Sequence, residues 1–200
     1  MERIKYSSLI HRTLLCVLCL LLISSCSHED DIELVFIGDS NIERWDLGKF
    51  FPSFITENYG ASNSGIQHIE EYAGRFRGKR VVVLTGINDH QDYEISSIDL
   101  DNYIHRYVSA VNSLMASKIY VFSALPVGKE HSENYELVNF TTCQLNECLR
   151  EQSRVNGWVY FDVYSILLQG EGLNPNYSLD GKHPNDRCYE ILTKLLIQNL

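Results

Sequence analysis

The chain has 200 residues, 44% hydrophobic, and a formal net charge of −9 at neutral pH. Such a length and apolar share suit one domain with a sizeable core. The acidic excess repels nucleic acid and other anionic polymers at long range, and no basic cluster offsets it, so nucleic-acid binding is excluded.

The first segment stands apart from the fold. Arg3, Lys5 and Arg12 precede an unbroken apolar run over residues 14–23, the length of a signal-peptide core and too short to span a bilayer. Ser24, Ser25 and Cys26 follow. Ile23-Ser24-Ser25-Cys26 resembles the lipobox of bacterial lipoproteins, which implies cleavage before Cys26 and lipidation of its thiol; an ordinary secretory signal cut near Ser25 is the alternative. Several acyl chains on one cysteine make a stable membrane anchor. The next residues, Ser27-His28-Glu29-Asp30-Asp31, resemble the surface-export signal of lipoproteins in the Bacteroidetes, or else form a solvated tether. Residues 1–25 thus read as signal peptide, 26–32 as lipidated cysteine and acidic tether, and 33–200 as the folded domain. Removing the signal leaves 14 basic against 25 acidic residues.

Beyond the tether, apolar runs alternate with helical patterns. Residues 34–37 read as a strand, 47–56 as a short helix, 58–62 as a weak strand, and 66–77 as a helix bounded by Gly65 and Gly78. Residues 80–85 do not alternate and read as a fully buried strand. Tyr103, Ile104, Tyr107, Val108 and Val111 give 100–116 a helical spacing. A strand over 118–124, a long helix over 133–155 and a strand over 158–161 follow. Pro184 is expected to open a final helix with Cys188, Ile191, Leu192 and Leu195 on one face. Cys143 and Cys148 lie five residues apart on the long helix, too far apart to bridge, and are expected to be buried small hydrophobes. No Cys or His spacing suggests zinc. This alternation predicts an α/β fold with a parallel sheet covered on both sides and all strand C-termini on one edge.

Three short pieces reach that edge. Gly38-Asp39-Ser40 and Gly86-Ile87-Asn88-Asp89 each follow a buried strand, and Asp180-Gly181-Lys182-His183-Pro184 lies near the C-terminus. A serine hydroxyl is a poor nucleophile until a base takes its proton, and His183 can serve as that base. Asp180, three residues earlier, can accept the other imidazole N–H and fix the tautomer; a helix cap is its plainer reading. Asn88 offers an uncharged donor to a developing oxyanion, and Ser40 and Gly65 can add backbone N–H groups; ordinary turns are the plainer readings for Asn88-Asp89 and Gly65.

Together these residues resemble the SGNH hydrolases, the GDSL esterase/lipase family, over nearly all of the mature chain. The family's serine block is matched by Gly38-Asp39-Ser40, its glycine block by Asn63-Ser64-Gly65, its asparagine block by Gly86-Ile87-Asn88-Asp89, and its acid–base block by Asp180 to Pro184. The resemblance implies a three-layer α/β/α sandwich with a five-stranded parallel sheet, flavodoxin-like, with no metal and no organic cofactor. It implies Ser40, Asp180 and His183 as catalytic residues and Ser40, Gly65 and Asn88 as the oxyanion hole. Asn41 stands where the family often has Leu, His68 where it often has Gly, and Cys188 where Gly commonly precedes the tyrosine. His68 is expected to narrow or polarise the pocket. His90 could touch substrate, His105 and His131 read as surface residues, and Trp45 reads as packing.

The leading function is ester hydrolysis. Loops 89–99, 126–134 and 169–182 are polar and carry Tyr93 and Tyr177, which favours a small acyl group on a polar carrier such as an acetylated saccharide. A lysophospholipid or fatty ester, a non-catalytic surface binding protein and acyl transfer to an alcohol are the alternatives. The expected location is the cell envelope, anchored through Cys26 to a bacterial membrane, the outer one, with surface exposure. The oligomeric state is not legible.

Overall fold

In the computed structural model, residues 33–93 and 96–200 are described. The expectations for residues 1–32, Cys26 among them, lie outside the described residues. Five parallel strands form one sheet in the order β2-β1-β3-β4-β5: β1 Glu33–Gly38, β2 Ile55–Gly60, β3 Arg80–Leu84, β4 Lys118–Phe122 and β5 Val159–Phe161. The central strands are buried along almost their whole length, because both faces of the sheet are covered.

One face packs Val35, Ile37, Val81, Val83 and Val121 against α3 (Ile66–Glu70), α5 (Ser97–Ser113) and α6 (Tyr135–Asn156), which supply Ile69, Tyr107, Val111, Leu145 and Leu149. The other face is aromatic. Trp45, which is 1% exposed, meets Phe36 at 5.3 Å and stacks on Tyr189 at 5.4 Å between ring centroids. Covering this face are α1 (Ser40–Glu43), α2 (Leu47–Phe50) and the last helix, α8 (Asp186–Ile197). The result is the expected three-layer α/β/α sandwich. Between α3 and α5 lies the short helix α4 (His90–Tyr93); α7 (Tyr164–Leu167) and a small antiparallel hairpin, β6 Leu168–Gln169 with β7 Gly172–Leu173, follow β5.

Several boundaries differ from the sequence expectation. The helix over 47–56 is only the four residues of α2, and the weak strand begins earlier, at Ile55. The helix expected over 66–77 stops at Glu70, because left-handed Gly74 turns the chain and donates its N–H to Ser113 O at 2.6 Å. Pro184 does not open the last helix. It bridges to Ser178, and Asn185 caps α8 by accepting from Cys188 N at 3.2 Å. The buried stripe of α8 is Cys188, Tyr189, Leu192, Thr193 and Leu196, not Ile191 and Leu195. Cys143 is exposed and Cys148 half-buried, a correction to the buried pair; among the described residues only Cys188 is a fully buried cysteine.

Candidate active site

The first site residue follows the central strand. Gly38 is required there: a Cβ would stand 2.9 Å from the Leu84 carbonyl carbon and nearer still to its oxygen. Asp39 then caps α1, accepting from Asn41 N at 2.8 Å. Burial pushes the Asp39 carboxyl up to about 7, against the pull of the Asn41 N–H and the Lys182 ammonium and with Asp89 adding to the rise. From α8, the Tyr189 hydroxyl donates to Asn41 O at 2.8 Å. Ser40 is thus held by strand, cap and last helix together, and is 4% exposed.

Ser40 Oγ lies 3.1 Å from His183 Nε2, and His183 Nδ1 lies 2.7 Å from Asp180 Oδ2. The other Asp180 oxygen accepts from His183 N at 2.8 Å and Lys182 N at 3.0 Å. Partial burial raises the Asp180 carboxyl, but these hydrogen bonds outweigh it and hold the group well below the usual carboxylate range. An ionised Asp180 keeps the ring proton on Nδ1, so Nε2 accepts from Ser40. The loop closes on itself: Ser178 Oγ accepts from Gly181 N at 2.8 Å and donates to His183 O at 3.1 Å. Gly128 N donates to Gly181 O at 2.7 Å, tying this loop to the one after β4. Asp180 caps no helix.

Asn88 lies in a 3-10 turn, Ile87–Asp89, after β3. Its Nδ2 donates to Ser64 O at 2.8 Å, and its Oδ1 accepts from Lys182 Nζ at 2.8 Å. Asp89 reaches the other way, its Oδ2 accepting from Ile66 N at 2.8 Å and from the Tyr103 hydroxyl at 2.7 Å. Neither side chain makes the local turn that the plainer reading assigned. Gly65 sits against Asp89, where a Cβ would come 2.5 Å from Oδ2 and nearer to Oδ1. Its backbone is not left-handed (φ −134°), so the requirement for glycine is purely steric. Among the described residues, the N–H groups of Ser40 and Gly65 donate to no protein acceptor.

All five sequence-predicted positions in the domain therefore fall at one sheet edge: Ser40, His183 and Asp180 in a hydrogen-bonded row, with Asn88 and Gly65 beside it. Two supports were not foreseen. Lys182 carries no signal in sequence, since its contact spans 94 positions. Asn139 and Asn146, two turns apart on α6, pin the loop after β4 by bonding Val127 N and O and Ala124 N and O. Their spacing of seven was the available clue. His68 points away from this row, its Nε2 3.0 Å from Tyr59 O and its ring against Tyr72, so it neither narrows nor polarises the site. His105 and His131 are exposed, and Trp45 is packing. Among the described residues no cluster of His, Cys, Asp and Glu could hold a metal ion.

Two hollows flank the row. A small one of about 160 Å³ is lined by Ile87, Asn88, His90, Val127, His131 and Lys182, among others. A wider groove of about 570 Å³ includes Arg44, Asn176, Leu179, Pro184, Asn185 and Arg187. Ser40 and His183 line neither; Lys182 faces one and Pro184 the other, on either side of His183.

A parallel five-stranded sheet with a Ser–His–Asp row at its C-terminal edge defines an α/β serine hydrolase. The chain belongs to the GDSL-like lipase/acylhydrolase family, whose profile matches residues 36–191. No curated protein matches it. Solved structures share the fold. A candidate acylhydrolase from Bacteroides fragilis is 23% identical, with a TM-score of 0.67 over 85% of this chain and 86% of that one. A GDSL-like lipase from Bacteroides thetaiotaomicron is 20% identical, with a TM-score of 0.67 over 86% and 89%. A catalytic mutant of an acetylxylan esterase from Geobacillus stearothermophilus is 17% identical, with a TM-score of 0.62 over 83% and 92%.

Proposed function

We propose that this acylhydrolase removes a small acyl group, acetyl, from a saccharide or similarly polar carrier. The observation that carries this reading is the unequal pair of hollows. The one beside Asn88 holds about five water volumes, ample for an acetyl methyl and too little for a fatty chain. The other is wide and lined by the guanidinium groups of Arg44 and Arg187, the amides of Asn176 and Asn185 and the Asp186 carboxylate, with Pro175, Leu179 and Pro184 as apolar walls for the faces of a sugar ring. One fold relative acts on acetylated xylan by its name, which is in keeping with this choice.

In the reaction, Ser40 Oγ adds to the ester carbonyl as its proton passes to His183 Nε2. The Ser40 and Gly65 N–H groups and the Asn88 amide receive the oxyanion. Collapse expels the carrier alcohol, which takes the proton from His183. Water then repeats the sequence on the acyl-serine and releases the acid. Asp180 orients the ring and stabilises the imidazolium. The lipobox-like segment ending at Cys26 supports attachment through that residue to the outer membrane of a bacterial envelope, with the acidic tether leading outward.

The test compares p-nitrophenyl acetate and p-nitrophenyl octanoate on a protein beginning at Ser27, with Ser40→Ala as control. Acetate turnover that exceeds octanoate turnover and disappears in the variant is expected. Preference for octanoate would move the substrate to lipids.

A further inference from the structure

We infer that Lys182 is a positioning residue of the oxyanion site, whose ammonium fixes and polarises the Asn88 amide. This rests on the ester-cleaving reading of the site.

An amide side chain can present either its oxygen or its NH₂ in a given direction, and its partners decide which. Asn88 is specified at both ends. Its NH₂ faces a carbonyl, Ser64 O, and its oxygen faces an ammonium, Lys182 Nζ, each at 2.8 Å. Reversal would set NH₂ against ammonium and oxygen against carbonyl, so the orientation has no competitor. Ser64 O takes one hydrogen of Nδ2 and leaves the second for the substrate oxygen. A cation on Oδ1 draws electron density from the amide and makes that second N–H a stronger donor.

Nothing else consumes this ammonium. Among the described residues Lys182 forms no ion pair, and its only side-chain partner is Asn88. The adjacent carboxylate, Asp180, is engaged by the His183 ring and by two backbone N–H groups. The loop that delivers the base thus delivers the cation from the preceding residue, and left-handed Gly181 (φ +82°) sets the turn for both.

The experiment measures kcat and KM on p-nitrophenyl acetate for Lys182→Met, Lys182→Gln and Lys182→Arg, alone and combined with Asn88→Ala. Circular dichroism checks folding. Lys182→Met and Lys182→Gln are expected to lower kcat by about tenfold or more, with KM within about twofold. Lys182→Arg should recover most of the loss. In the Asn88→Ala background, itself slowed by about 10²–10³, Lys182→Met should change kcat by less than about twofold, because its target is gone. Full activity of the two neutral variants, a loss carried by KM, or the same fold-loss with and without Asn88 would overturn the inference. Lys182→Gln carries the same test if Lys182→Met loses its fold. Undiminished turnover in Ser40→Ala would instead overturn the reading of the site itself.

Discussion

Gly65→Ala tests the oxyanion site through steric exclusion. The new methyl carbon would lie 2.5 Å from Asp89 Oδ2 and closer to Oδ1, so the carboxylate or the Gly65 backbone must move. Movement of Asp89 breaks its bonds to Ile66 N and the Tyr103 hydroxyl in a buried setting. Each such loss costs about 1–3 kcal/mol. Partial relaxation leaves a net cost of roughly 2–4 kcal/mol, or a melting temperature lower by about 5–15 °C for a domain of this size. Movement of the backbone instead misplaces the Gly65 N–H and lowers kcat by about 10²–10³. The assay pairs urea unfolding with kcat on p-nitrophenyl acetate. Gly74→Ala is the control: Gly74 is left-handed (φ +72°) with nothing near a Cβ, so alanine there costs about 1–2 kcal/mol of backbone strain and no activity. Wild-type turnover and stability in Gly65→Ala would refute the reasoning, as would a matching loss of activity in Gly74→Ala.

Asp39 makes the fold pH-dependent. Burial lifts its folded pKa to about 7 from 3.8, so the fold retains a proton that the unfolded chain has released. The associated stability is complete below the unfolded value and is lost as pH rises through the folded one. Against Asp39→Asn, which cannot ionise, the wild type should lose on the order of 3 kcal/mol between pH 5 and pH 8. Urea titrations at the two pH values measure the difference, and parallel stability profiles would sink the claim. At the other end of the chain, labelling with radioactive palmitate in a bacterial host should mark the full-length protein and be abolished by Cys26→Ser. Label persisting in that variant would rule out attachment at Cys26.

The sheet was legible because its central strands are covered on both faces. Residues 34–37 and 81–84 are continuous apolar runs, and only a doubly covered sheet calls for them. The edge strand β2 was read late because Ile55 is half exposed and its polar residues mimic a loop. Over 66–77, Ile66, Ile69, Tyr72 and Phe76 keep a helical spacing although the helix ends at Glu70. The spacing reports which residues face the core, while the backbone path is taken over by tertiary bonds such as Gly74 N to Ser113 O. The site divides in the same way. Its reacting atoms come from short contiguous blocks, so Ser40, Asn88, Asp180 and His183 could be named from those blocks and the family pattern that they resemble. The groups that aim them are pairs far apart in sequence: Lys182 with Asn88, Asp89 with Ile66, Tyr189 with Asn41. In sequence, Lys182 is indistinguishable from any solvated lysine, and Asp89 from any turn aspartate. Gly65 is the exception that shows what a usable signal would be. A glycine with an ordinary φ is dispensable unless a neighbour occupies the space of its side chain, so its need for glycine points to Asp89 as the group that holds the oxyanion loop in place.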